Sequence, residues 1–344
     1  MRSACETADV PELPEIEATV RLLDAAVRGG TIESAMAPGL ATMRTFSPPL
    51  DALKGATLTG IDRRGKLLLV HADGGGLAGP STLVLHLMSA GRLQLYEKLA
   101  GPRDRTSRVL LRIRGGGAEP TPGATTGPAG DADPDGSRIP GAPTVAAPGE
   151  EAPLRELRLR EFGTKQAAWG KLLPDGELAE DDTLSTLGPE AWPDPPDLSA
   201  LPPRRTLRGA IRDQRVLAGI GRTWSDEILW QAQLAPLRRC GDLDDAERER
   251  LRVAMVEKLG GALDLYLHGG KGPDGKRRKP LALPLPDKLP LPLQVHRRTG
   301  DPCPRDGTTL LAVHYEDDEM TYCPTCQTGG KPYKDRRLSR LLKD

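Results

Sequence analysis

"IRDQRVLAGIGRTWSDEILWQAQLAP", residues 211–236, decides how this chain is organised. Gly219-Ile220-Gly221 reads as a tight turn that opens directly into a helix over 222–233. Backbone N–H groups at such a turn, with the helix dipole behind them, make an anion site suited to a phosphate. A Gly-x-Gly turn can equally join two packed helices; Arg215 and Arg222 beside it favour the phosphate. The surroundings are helical. A short helix is expected near 204–213 and a longer one over 243–268, where Leu251, Met255, Leu259 and Leu263 recur at helical spacing.

Upstream the period changes from helical to strand-like. "GATLTGIDRRGKLLLVHAD" (55–73), "STLVLHLMSAGRLQLYE" (81–97), "RVLLRIRG" (108–115) and "ELRLREFGTKQAAWGKLLP" (156–174) alternate apolar and polar residues between Gly and Pro. The pairs Leu58/Ile61, Leu67/Leu69 and Leu157/Leu159, and the trio Leu83/Leu85/Leu87, mark inward positions of an antiparallel β-sandwich or barrel. The expected fold is therefore α+β and multidomain, with an N-terminal β-sandwich over 11–190 flanked by helices. A segment over 115–153, almost wholly Gly, Pro, Ala, Asp and Thr, cannot bury a core and reads as a disordered hairpin insertion. "GPEAWPDPPDLSALPP" (188–203) reads as a linker to a helical domain at 203–268. Residues 269–294 form a basic, proline-rich loop, and 295–344 a small cysteine-bearing module with a basic tail.

A chain of 344 residues can bury two or three cores. It has no run of eighteen apolar residues, so no membrane span is expected. Residues 1–10 lack the basic and apolar regions of a signal peptide, which points to the cytoplasm. Zero net charge hides a split: residues 1–200 carry 21 Lys+Arg against 28 Asp+Glu, and residues 201–344 carry 27 against 20. The second half is the one suited to a polyanion, although a solvated basic surface has the same composition.

Cys303, Cys323 and Cys326 need an account beyond packing. "CPRD" (303–306) and "CPTC" (323–326) are two pairs with two-residue gaps, the spacing of a zinc ribbon hairpin. Asp306 occupies the fourth ligand slot, and His314 and His296 are alternatives to it. A metal-free hairpin is the competing reading.

"VPELPEIEATV" (10–20) reads first as a helix start, with Pro11 in the first turn and Glu12, Glu15 and Glu17 at the positive dipole end. Together these segments resemble the bacterial formamidopyrimidine-DNA glycosylase/endonuclease VIII family. "PELPEIE" resembles its N-terminal signature, "DQRVLAGIGRTWSDEILWQAQLAP" its helix–two-turn–helix, and "GRTGDPCPRDG…YCPTCQ" its zinc-finger hairpin, with Arg297 at the first glycine. "CQTGGKPYKDRRLSRLLK" is similar to an actinobacterial branch.

The resemblance implies a base-excision-repair glycosylase with AP-lyase activity on duplex DNA carrying oxidised or abasic lesions. It implies a nucleophilic secondary amine at Pro11, a Glu12 acid/base carboxylate, a supporting Glu15 and a phosphate-gripping Lys66. Arg160 and Phe162 would fill the gap left by an everted nucleotide, which must leave the stack for its C1′ to be reached. Gly219, Gly221 and Arg222 would meet phosphate, as would Lys331, Arg336 and Arg337 in the finger. Cys303, Asp306, Cys323 and Cys326 would hold a structural zinc. A monomer associated with the nucleoid is implied.

The sequence departs from the family at several positions. Arg222 stands where the family has a phosphate-binding asparagine, Ser89 where it has a void-filling methionine (Met88 lies one residue earlier), and Thr328 where the finger has an arginine. The loop that encloses oxidised purines in some members has no counterpart in 269–294. Behind Val10 the Pro11 nitrogen is an amide, which cannot form an iminium. A valine codon can be GUG, so initiation at Val10 followed by methionine removal would free the amine. The competing functions are a non-catalytic binder of damaged DNA and a zinc-ribbon scaffold for protein or RNA.

Overall fold

The protein is described by a computed structural model covering residues 10–39, 41–100, 104–117, 152–162, 166–315 and 318–333. It divides into two compact units. The first comprises Met1–Pro11, Glu15–Ser185 and Pro280–Leu289; the second comprises Glu12–Pro14, Thr186–Lys279 and Pro290–Asp344.

The first helix, α1 (Leu13–Val27), begins two residues after Pro11 rather than at it. The Leu13 N–H donates to the Gly219 carbonyl at 3.0 Å, so the chain before it is held by a distant turn and not by a helical ladder. Eight strands follow in the first unit: β1 (Thr31–Met36), β2 (Ala56–Arg64), β3 (Leu67–Gly74), β4 (Ser81–His86), β5 (Gly91–Tyr96), β6 (Ser107–Arg114), β7 (Leu154–Glu161) and β8 (Trp169–Pro174). Their hydrogen-bonded order is β5-β7-β6-β1-β2-β3-β4-β8, and every pairing is antiparallel.

Hydrogen bonding thus runs through one large antiparallel sheet. Its two four-stranded halves join at one paired position, Thr31 with Thr57. Both halves send side chains into one core with α1, among them Ile16, Leu23, Leu58, Leu85, Leu111 and Leu159. Each such buried side chain is worth ~1.5–3 kcal/mol relative to exposure. Alternation marks an inward face but not which strand lies next to which, so it cannot separate one sheet from two.

Two details follow from pairing. A bulge between Leu58 and Gly60 switches the inward parity of β2, so that Leu58 and Ile61 both reach the core. In β3 the core residues are Leu68, Val70 and Ala72, not the expected Leu67/Leu69 face. "LLLV" is continuously apolar, and its register against β2 and β4 chooses the face. The expected 115–153 insertion falls outside the described residues except at its ends. There Arg114 pairs with Leu154, and the Gly115 N–H meets the Pro153 carbonyl.

The second unit holds α2 (Leu207–Ile211), α3 (Arg222–Gln231) and α4 (Asp245–His268). α4 starts with a reciprocal capping box between Asp244 and Glu247 and buries Leu251, Met255, Leu259 and Leu263 on one face. Next come a hairpin of β9 (Gly270–Lys271) with β10 (Arg277–Arg278), a second hairpin of β11 (Leu311–Tyr315) with β12 (Asp318–Tyr322), and α5 (Pro324–Thr328). The expected loop 269–294 is therefore composite. Its first part is the β9/β10 hairpin, while Leu281 and Leu285 are buried and Leu283 packs on the sheet core of the first unit. Gln94 on β5 holds this stretch through the Leu285 carbonyl at 2.9 Å and the Asp287 carboxylate at 3.0 Å. Among the described residues no helix is long and apolar enough to cross a membrane.

Candidate active site and metal centre

Glu12 is 1% exposed, and its carboxylate is fixed at both oxygens. Oε2 accepts the N–H of Gly221 at 2.6 Å and of Trp224 at 3.2 Å, and Oε1 accepts the N–H of Thr223 at 2.9 Å. These donors form the N-terminus of α3, whose N-cap Gly221 has no side chain to satisfy them. A carboxylate from a segment just after Pro11 therefore caps the helix and lies at its positive dipole end. The turn before it is shaped for this approach. Gly219 has φ 108°, and a Cβ there would stand 2.4 Å from Leu13 Cδ1.

This geometry corrects the reading of Gly219 and Gly221 as phosphate donors. The Gly221 N–H is taken by Glu12, and the Gly219 N–H donates to Gln214 Oε1 at 2.9 Å. An internal anion occupies the helix end that sequence alone assigned to DNA. Arg222 is exposed as the first residue of α3.

In the first unit, Glu15 is buried in the first turn of α1. Lys66 lies in the turn after Gly65, between β2 and β3, close enough to bias the His86 imidazole. That ring is pushed down to about 4, first by burial and then by the charges of Lys66 and Arg44. It stacks on Trp169 and accepts the Met88 N–H at 2.8 Å, while Met88 adopts a left-handed φ of 51°. Ser89 is exposed beside it. Arg160 and Phe162 are brought together, the guanidinium 4.6 Å from the ring centroid. Arg160 also donates to the Tyr96 hydroxyl at 2.8 Å and to Thr106 Oγ1 at 3.0 Å. Lys331 is exposed; Arg336 and Arg337 lie outside the described residues.

Cys303, Asp306, Cys323 and Cys326 place four ligand atoms within 4.8 Å of one another, an arrangement that can hold a metal ion. The Cys303 and Cys326 sulfurs are 3.8 Å apart, and Asp306 Oδ2 is 3.5 Å from the Cys323 sulfur and 3.0 Å from the Cys326 thiol that hydrogen-bonds it. Tetrahedral zinc with ~2.3 Å bonds to sulfur and ~2.1 Å to oxygen requires edges of roughly 3.8 and 3.6 Å. A hydrogen bond from the Cys326 thiol, then the Thr308 N–H, holds the Asp306 carboxyl below the usual range, so a charged oxygen donor is ready. The Trp230 indole N–H points at the Cys303 sulfur at 3.3 Å, and the Cys326 N–H at the Cys323 sulfur at 3.4 Å. The donor set therefore fits zinc.

Both histidine alternatives are engaged elsewhere. His296 Nδ1 meets Asp226 Oδ2 at 2.8 Å, and His314 pairs with Glu319 at 3.5 Å. The His296 contact belongs to a network absent from the sequence reading. Asp226 also binds Arg208 at 2.7 Å, and the neighbouring Glu227 accepts the N–H groups of Gln294, Val295 and His296 at 2.8–3.0 Å. The consecutive acids Asp226 and Glu227, set between Trp224 and Ile228, are its sequence signal, and both are fully buried. Arg297, next along, has φ 58°, the left-handed conformation that favours glycine.

Residues 10–119 match the formamidopyrimidine-DNA glycosylase N-terminal domain family. A formamidopyrimidine-DNA glycosylase from Moorella thermoacetica is 30% identical over 321 residues, covering 88% of this chain and 94% of that protein. The fold is shared with the Lactococcus lactis enzyme (Fpg) solved with Fapy-dG-containing DNA, at 21% identity, TM-score 0.67, and coverage of 92% of this chain and 99% of that one. The same enzyme bound non-covalently to DNA with an AP site gives a TM-score of 0.65 at 20% identity, with the same coverage. With identity of this level across nearly the whole length of a relative, the chain belongs to the formamidopyrimidine-DNA glycosylase/endonuclease VIII (Fpg/Nei) family.

Proposed function

We propose that this DNA glycosylase removes oxidised bases from duplex DNA and cleaves the strand as an AP lyase, with the Pro11 amine as nucleophile. The observation that carries the reading is the buried Glu12 carboxylate. Directly following Pro11 in the chain, it is fixed at both oxygens by three N–H groups. The Pro11 lone pair attacks C1′ of the everted nucleotide, and the base departs with the electron pair of its glycosidic bond. Glu12 transfers protons as the sugar opens and the iminium forms. Elimination then breaks the strand. The activity requires Pro11 as a free amine, which titrates near ~7.7–8.0 and so is appreciably neutral at physiological pH.

In this reading the domain at 11–190 carries the chemistry with Glu15 in support, and Lys66 grips phosphate. Arg160 and Phe162 fill the vacated space. The domain at 203–268 binds DNA through Arg222, with Gly219 and Gly221 shaping the Glu12 seat. The module at 295–344 binds through Lys331 and a basic tail that includes Arg336 and Arg337. Cys303, Asp306, Cys323 and Cys326 would hold zinc, which fixes the hairpin and takes no part in the chemistry. The protein acts as a monomer at the nucleoid. The L. lactis complexes with lesion and AP-site DNA support the choice of substrate.

A second reading, a member that binds damaged DNA without cutting it, is favoured by Val10, which makes the Pro11 nitrogen an amide in this sequence. Cleavage of a duplex with a preformed abasic site separates the two. The enzyme reading expects nicking by protein beginning at Pro11 and none by protein retaining residues 1–10. Tight binding without nicking by both forms establishes the second reading.

A further inference from the structure

Residues 269–279, "GGKGPDGKRRK", form a stapled hairpin where sequence suggested an irregular loop. Gly270 pairs with Arg278 and Lys271 with Arg277. The Gly272 N–H donates to the Lys276 carbonyl at 2.8 Å, and the Gly275 N–H to the Gly272 carbonyl at 2.9 Å. Strands of two residues have little stability of their own. The Asp274 carboxylate supplies the tie, receiving both arms of the Arg278 guanidinium at 2.7 and 2.9 Å.

The two faces of the ribbon differ. A Cβ on Gly270 would lie 3.7 Å from Leu265 Cδ2, and Arg278, paired opposite Gly270, reaches toward the Leu291 carbonyl. That face is turned to the body of the second unit. The period of two then directs Lys271, Arg277 and Lys279 to the other face, where Lys271 borders a cavity that Glu257 and Asp264 also line. These three and Lys276 are exposed, and none makes an ion pair with another described residue. Asp274, the hairpin's only carboxylate, is engaged by Arg278.

Like charges directly opposite on paired strands repel and destabilise the pairing. Lys271 and Arg277 are placed that way, and among the described residues neither makes an ion pair with an acid. An external polyanion would. Duplex DNA presents one charge per ~1.7 Å of axis, dense enough to meet two cations ~5 Å apart. Apart from Pro273 in its turn, the hairpin sequence has no apolar or aromatic side chain to insert into lipid, as a membrane-surface element needs.

We infer that the outward face of this hairpin is a phosphate clamp for duplex DNA, in which Lys271, Arg277 and Lys279 hold the backbone without reading sequence or lesion. The inference rests on the DNA-repair reading above and extends its footprint to the β9/β10 ribbon.

The test is the salt dependence of binding to two short duplexes, one intact and one with a tetrahydrofuran abasic analogue. It compares the wild-type chain with K271Q/R277Q and K271E. The double variant should weaken both duplexes equally, by roughly tenfold, and flatten the log–log salt slope by about 2. K271E places an acid opposite Arg277, so its Tm should not fall although its DNA affinity does. An unchanged slope in the double variant, or a loss confined to the abasic duplex, overturns the clamp. So does loss of binding to phosphatidylserine vesicles with DNA affinity intact. A wild-type chain that fails to bind either duplex overturns the repair reading as well; a wild type that binds, with an unaltered double variant, overturns the clamp alone.

Discussion

The Glu12 carboxylate and the Gly221 N–H, 209 residues apart in sequence, meet at 2.6 Å. Glu12 thus serves two ends at once, completing the N-terminus of α3 and fixing the carboxylate that follows Pro11. In Glu12→Gln the amide NH2 replaces one acceptor and faces a backbone donor. Charge-assisted hydrogen bonds are worth about 1.5–3 kcal/mol each, so urea unfolding should show a loss of about 3 kcal/mol, together with loss of strand cleavage. Unchanged stability would mean that the helix cap contributes nothing.

Gly219 is required twice, by φ 108° and by the approach of Leu13. Gly219→Ala combines backbone strain with a Cβ 2.4 Å from Leu13 Cδ1, so it should destabilise the protein by about 2–4 kcal/mol. Denaturant midpoints measure this. Gly261, where a Cβ would meet nothing within 4 Å, is the control, and its alanine variant should be no less stable than wild type.

The metal reading makes Asp306 replaceable in one direction only. Asp306→Cys supplies the more usual fourth thiolate and should retain zinc against a competing chelator better than wild type. Asp306→Ala should lose at least about tenfold in affinity. Zinc content after dialysis against the chelator decides, and equal retention by all three proteins would remove Asp306 from the ligand set.

Two histidines on the sheet set opposing pH limbs. Burial, Lys66 and Arg44 depress His86 to about 4, so its contribution is present above the unfolded value near ~6.5 and is lost as pH falls toward 4. For His71 burial acts downward, but the hydrogen bond and charge of Asp62, with Asp175 behind, outweigh it and raise the pKa. Its contribution is full below ~6.5 and is lost as pH rises through the folded value. His86→Gln should therefore lose about 1–2 kcal/mol less than wild type between about pH 7 and 5. His71→Gln should flatten the decline on the neutral side. Urea titrations across this range measure both.

Much of this was legible locally. The alternation at Leu157/Leu159, the α4 face and the two cysteine pairs report themselves through spacing. What escaped was non-local. The partner of the Gly221 N–H is a carboxylate at position 12, and no turn motif announces that its donors are already taken. The face of β3 depends on its neighbours because "LLLV" is apolar on both sides. Leu283 and Leu285 sit in a proline-rich stretch that resembles a linker, yet the Leu283 side chain packs on the sheet core and the Leu285 carbonyl bonds Gln94, almost two hundred residues earlier. The β9/β10 hairpin has too few residues per strand for any periodicity to show.

The central claim is that the Pro11 nitrogen forms the bond to C1′. Protein beginning at Pro11 is incubated with abasic duplex and sodium borohydride, and the trapped complex is digested and mapped by mass spectrometry. The account predicts one reduced sugar–DNA adduct, on the N-terminal Pro11 peptide, and no adduct in Pro11→Ala. An adduct on a lysine peptide, or none from protein that binds the same duplex, would contradict it.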